Sequence, residues 1–153
     1  MDRRRFITTT ALLGAGALAG CNTSGSELPP SPPEAPDGVA DWSFSAPVED
    51  ADVGRNQPPQ VTCDPNAGRV RVVGVAPSGN GCSSLYADRV TLDDGLLTLV
   101  VAAWHPDRSC SDVARFPGYE ATFSLETRLP DRVRTVEPAD PNGDETRTTT
   151  VDC

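Results

Sequence analysis

From residue 119 to residue 126 apolar and polar side chains alternate: Tyr119, Ala121, Phe123 and Leu125 against Glu120, Thr122, Ser124 and Glu126. A period of two puts every second side chain on one face, so this segment predicts a half-buried β-strand. Arg69-Val70-Arg71-Val72 starts a second alternating run, and the Val73-Gly74 step after it predicts a bulge where the in/out register shifts. Residues 96–103 are apolar on both faces, which suits a central strand. Residues 84–92 should be their hairpin partner, because Asp93-Asp94-Gly95 supplies residues that tolerate positive φ in a tight turn. A second hairpin is expected from 133–137 and 145–151 around Pro141-Asn142-Gly143-Asp144, and residues 61–63 add a further strand. The chain beyond residue 20 shows no sustained helical period. About seven short strands separated by frequent turns predict a small antiparallel β-sandwich of immunoglobulin-like type, with a small β-barrel as the alternative.

The N-terminal end follows a different pattern. Arg3-Arg4-Arg5-Phe6-Ile7 leads into a short apolar stretch that closes on Leu18-Ala19-Gly20-Cys21. A basic start, an apolar segment and small residues before a cysteine make an export signal, and the stretch is well short of the roughly 20 residues that span a bilayer. The segment resembles a twin-arginine lipoprotein signal ending in a lipobox. That resemblance implies removal of residues 1–20, lipid attachment to the Cys21 sulfur, and a place on the extracellular face of the cell membrane. After Cys21 come Pro29, Pro30, Pro32, Pro33 and Pro36. Proline at this density opposes helix and sheet alike and predicts an extended tether over 21–59 that lifts a domain off the surface. Residues 41–46, around Trp42-Ser43-Phe44, are left as a possible docked segment, and the compact domain is expected at 60–153.

That domain has only 21 Leu, Val and Phe residues for its core, so covalent staples would matter. Cys63, Cys82, Cys110 and Cys153 form an even set in an exported chain, and two disulfides are expected. Of the three possible pairings we favour Cys82 with Cys110 and Cys63 with Cys153, the outer bond tying the two ends of the domain together. A zinc site fits poorly, because no two of these cysteines have the two to four intervening residues that structural zinc sites use.

All 13 basic residues are arginine and stand against 22 acids, for a net charge of −9. Removing residues 1–20 takes away Asp2, Arg3, Arg4 and Arg5, leaving 21 acids, 10 arginines and a charge of −11. An acidic, lysine-free surface opposes nucleic-acid binding and stays dispersed in strong brine. Together with the signal, the composition resembles that of a haloarchaeal exported lipoprotein.

Chemistry-bearing groups are sparse. His105 is the single histidine, and Met1, the single methionine, leaves with the signal. A copper centre of two histidines and a cysteine is therefore excluded. A Ser-His-Asp hydrolase would need His105 as base, yet the chain has no G-x-S-x-G elbow. No cofactor is expected. Asp140, Asn142 and Asp144 place oxygens at alternate positions as calcium loops do, but the sixth and twelfth positions hold Glu145 and Val151 instead of Gly and Glu. This is a weak calcium candidate, better read as an acidic hairpin tip. The 104–118 loop offers the better binding face, with Trp104, His105, Asp107, Arg108, Arg115 and Phe116 as candidates around a disulfide-pinned Cys110.

From Gly81 onward the chain is similar to haloarchaeal exported proteins in Gly81-Cys82, the following hairpin, a cysteine in the next loop, Tyr119-Glu120-Ala121-Thr122-Phe123 and Leu129-Pro130. The resemblance covers about half of the chain and implies a fold without an activity. The expected function is a lipid-anchored, non-catalytic cell-surface module with a binding or structural role. Its expected partners are membrane lipid through Cys21 and a surface protein or ligand. The alternatives are an accessory subunit docking on a membrane transporter or surface-layer protein, and an enzyme with its site in the 104–118 loop. An exposed apolar patch around Trp42 and Trp104 would favour docking.

Overall fold

The computed structural model describes residues 28–153; the expected signal, lipobox and Cys21 lie outside the described residues. Eight strands form two four-stranded sheets packed as a β-sandwich: β1 (Val39–Val48), β2 (Gln60–Asp64), β3 (Arg69–Val75), β4 (Ser84–Asp93), β5 (Leu96–Trp104), β6 (Gly118–Leu125), β7 (Arg132–Pro138) and β8 (Thr146–Asp152). The first sheet has the order β1-β6-β3-β2 and the second β4-β5-β7-β8. No helix occurs among the described residues.

The alternation in β6 does what a period of two requires: Tyr119, Ala121 and Phe123 are fully buried between the sheets. Leu97, Leu99 and Val101 from β5 and Val70 and Val72 from β3 meet them there. The β4–β5 turn closes with Asp94 at φ 48° and Gly95 at φ 74° between the paired Asp93 and Leu96, the conformation that the Asp-Gly step predicts. One pair departs from the antiparallel expectation, for β5 and β7 run parallel. Between them in sequence comes β6, which crosses to the other sheet and runs the opposite way, so the returning β7 has the direction of β5.

Two further expectations are corrected. Val73-Gly74 is no bulge, because the register of β3 on β6 is continuous from Arg69 to Val75. Val73 and Val75 point outward and are nonetheless buried, covered by Val53, Ala51 and Phe116, so both faces of the strand end read as apolar. Gly74 points inward, where a Cβ would lie 2.5 Å from the Tyr119 ring; its lack of a side chain makes the room in which that ring sits. Register shifts lie instead in β4, between Ala87 and Arg89, and in β1, between Val39 and Asp41 and between Ser45 and Val48.

The second concerns the domain boundary, since residues 41–46, left as a possible docked segment, are the middle of β1. Trp42 pairs with Phe123 on β6 and stacks on it at 5.7 Å, and Phe44 stacks on Tyr119 at 5.9 Å. The sandwich thus begins at Val39, some twenty residues before the expected 60. In the proline strap ahead of β1, Pro29, Pro30 and Pro32 remain exposed and line a small recess with Phe44, Ala46 and Leu85. On the opposite side, Cys63 of edge strand β2 bonds to Cys153, just past edge strand β8. One open side of the sandwich is thus closed by a disulfide.

A buried polar bridge joins the sheets. The Tyr119 hydroxyl donates to Glu137 Oε2 at 2.5 Å, and Arg147 donates to Glu137 Oε1 through Nε at 2.8 Å and through a second guanidinium N–H. Glu137 is fully buried, and burial pushes its carboxyl above the usual carboxylate range despite both partners. Burial and the neighbouring Glu137 also push the Tyr119 hydroxyl up, so it stays a donor.

Candidate functional site

Strand directions put four connections at one end of the sandwich: 49–59, 76–83, 105–117 and 139–145. The two candidate regions read from the sequence, the 104–118 loop and the Asp140 turn, therefore share an end. They meet across a polar cleft of about 380 Å³ lined by His105, Asp112, Asn80 and Asn142, with Gly79, Ala114 and Pro141.

The cleft walls are stitched together by backbone. Ser78 N–H donates to Arg115 O, Arg115 N–H to Gly79 O, and Gly81 N–H to Ser111 O, at 2.9–3.0 Å. The Cys82–Cys110 disulfide, with Cα atoms 5.7 Å apart, adds a covalent tie, and both expected pairings are thereby found. A loop that is long in sequence is held as part of the scaffold, which limits the entropy lost when anything binds there. Gly79 has φ +103°, and a Cβ there would collide with the His105 ring; only glycine suits that backbone and that proximity.

His105 makes one side-chain contact that sequence reasoning missed, a 2.6 Å bond between its Nδ1 and Ser83 Oγ. Asn80 offers the Ser83 hydroxyl a second acceptor. Asn80 Oδ1 accepts the Cys82 backbone N–H at 3.1 Å, which fixes that atom as the oxygen, and it also accepts the Ser83 hydroxyl at 2.9 Å. A hydroxyl has one proton. That proton serves Asn80 Oδ1 or His105 Nδ1 according to the tautomer of the ring.

The other loop candidates are scattered. Phe116 packs on Val53, Val73 and Val75, away from the cleft, with the Arg55 guanidinium 4.9 Å over its ring. Arg115 holds its backbone on Gly79 and exposes its side chain. Asp107 and Arg108 are exposed. Trp104 ends β5 on the outer face of the second sheet, opposite Ser84 and beside Ala102 and Tyr86. Trp42 is turned to the core, so the two tryptophans form no common patch. Asp140 spends its carboxylate on the turn: Oδ2 accepts Asn142 N–H at 3.1 Å and Oδ1 accepts Glu145 N–H at 2.8 Å. Those backbone bonds, that from Glu145 foremost, hold it below the usual carboxylate range. No group of three or more His, Cys, Asp or Glu among the described residues is placed to hold a metal ion.

Fold and site together define a disulfide-stapled β-sandwich with a rigid loop end. Comparison with protein-family models, curated proteins and solved structures gave no match.

Proposed function

We propose that this chain is a lipid-anchored, non-catalytic β-sandwich module on the extracellular face of the cell membrane, and that it binds through its loop end. The observation that carries this reading is the polar cleft, whose walls are tied together by backbone hydrogen bonds and by the Cys82–Cys110 disulfide. Asn80, Ser83 and His105 hold one another by hydrogen bonds at its edge. Polar groups held on stitched backbone are what a binding recess needs. Residues 3–21 and the acidic, lysine-free composition support the anchor and the brine-adapted surface.

The test is intact mass with peptide mapping of the protein from the native membrane fraction, combined with labelling by a fluorophosphonate probe. A lipidated N-terminus at Cys21 and an unlabelled Ser83 are the expected results. An unlipidated chain removes the anchor from the reading. A Ser83 adduct that disappears in His105→Ala makes the protein an enzyme with its site in the 104–118 loop. The accessory-subunit reading is favoured by a separate observation: the outward positions of β4, β5 and β7 include Tyr86, Val100, Ala102, Trp104 and Val136, all short of full burial. Cross-linking from Trp104→Cys in intact membranes, with a single transporter or surface-layer product, would select it.

A further inference from the structure

A second recess opens at the loop end, on the far side of the 113–115 segment from the cleft. Leaving β1, residues 49–55 fold across the outer face of β3, where Ala51 and Val53 cover Val73 and Val75. Between this segment and 113–118 remains a groove of about 550 Å³, within the size range of small-molecule sites. Its wall is apolar through Val75, Phe116 and Pro47, and Val113 at its edge is 69% exposed. The charged side chains along it are Arg55, Arg115 and Glu49.

Arg71 and Arg147 each meet a glutamate with two N–H groups, whereas Arg55 and Arg115 have no carboxylate partner among the described residues. Other exposed arginines lack one too, but these two share an apolar groove. The Phe116 ring occupies one face of the Arg55 guanidinium. Cation–π contact of this kind orients the group and leaves its in-plane N–H fork free for a carboxylate. The groove is also preformed. Gly118 pairs with Val48, so close that a Cβ on Gly118 would lie 2.5 Å from Val48 O, and Arg115 is pinned to Gly79.

We propose that this groove binds a small amphipathic carboxylate, its apolar body on Val75 and Phe116 and its carboxylate on Arg55 and Arg115. Glu49 sets the charge balance: it opposes the anion and keeps the groove selective for ligands whose apolar part adds binding. The proposal needs neither the anchor nor the cleft at His105.

The test is an amide NMR titration of the full chain, disulfides formed, with octanoate, and with octanol and octylammonium as neutral and cationic controls. Octanoate should give saturable shifts centred on Val75, Phe116 and Gly118, with octanol far weaker and octylammonium silent. Arg55→Gln with Arg115→Gln should weaken octanoate by about tenfold or more, the scale of charge-assisted contacts, and Glu49→Gln should tighten it. A merely structural Glu49 would not produce that gain. Octanol matching octanoate, octanoate binding that survives the double variant, or octanoate shifts that do not saturate would each overturn the proposal.

Discussion

Replacing Cys63 and Cys153 by serine removes the disulfide that ties the β2 edge to the β8 end. The bond spans 90 residues, and the Cys82–Cys110 bond, spanning 28, lies inside it. In the chain-entropy account a cross-link restricts the unfolded ensemble in proportion to the logarithm of the loop it closes. With the inner bond intact the loop closed by the outer one shortens to roughly 60 residues, which gives about 4 kcal/mol at 25 °C. The same relation gives about 3.5 kcal/mol for the inner bond. Against a typical total of about 5–15 kcal/mol for a domain, either loss is large. The assay is equilibrium guanidinium unfolding without reductant, followed by the fluorescence of Trp42, which sits on Phe123 in the core. The Cys63→Ser, Cys153→Ser chain should lose about 4 kcal/mol, and its denaturant dependence should steepen, because an unlinked chain exposes more surface when unfolded. A loss below about 1 kcal/mol would show that the core holds the sheets unaided. A full loss with an unchanged slope would place the effect in the native state and refute the entropic reasoning.

Three other perturbations probe the packing. Gly74→Ala puts a Cβ into the Tyr119 ring, which Phe44 and Glu137 hold in place, and should cost about 2–3 kcal/mol by thermal or chemical unfolding; a near-neutral result would mean that ring is free to move. Trp42→Ala should cost about 2 kcal/mol, a half-buried share of the usual aromatic deletion, and should expose residues 39–48 to limited proteolysis, whereas a tether segment would show neither effect. Glu137→Gln tests the polar bridge through pH. Because burial raises the folded carboxyl above its unfolded value near 4.5, the stability this group contributes is full below that value and is lost as pH rises through the folded pKa. The melting temperature of the parent relative to Glu137→Gln should therefore fall as pH rises across that window, and a difference that grows with pH would refute the assignment.

What the sequence disclosed was local. The β6 alternation, the Asp94-Gly95 turn and the β7–β8 hairpin depend on neighbours in the chain, and each was legible there. The disulfide pairing came from placing the four cysteines at the ends and in the long loop of one domain. What it hid depends on contacts distant in sequence. Val73 and Val75 read as a register shift because residues 49–55, some twenty positions earlier, cover their outward side. β1 was legible only as a possible docked segment because prolines surround it and because Trp42 and Phe44 find their partners about eighty residues later on β6. Ser83 carries no motif, and its role appears only when β4 and β5 pair to bring it within 2.6 Å of His105. The signal that pointed nearby was the Gly79-Asn80-Gly81 turn ahead of Cys82.

The proline strap also changes what an anchor at Cys21 would do. A free tether would let the module tumble above the membrane with no preferred end toward it. Here Pro29, Pro30 and Pro32 line a recess with Ala46 and Leu85, close to the loop end. From Cys21 to Leu28 the chain can reach at most about 25 Å. On the lipid-anchored reading this short connection keeps the loop end nearer the bilayer than the opposite end, which carries the Asp94-Gly95 turn. Ligands that partition near a membrane, or the extracellular parts of its other proteins, meet the loop end at high effective concentration. A lone amphipathic carboxylate gains the same advantage, since its apolar body already concentrates it at the lipid surface. Shifting the strap therefore offers a direct separation of roles. Replacing Pro29, Pro30 and Pro32 by serine should leave octanoate binding in solution unchanged while loosening the orientation of the module on vesicles. Loss of binding in solution would instead make the strap part of the groove's support.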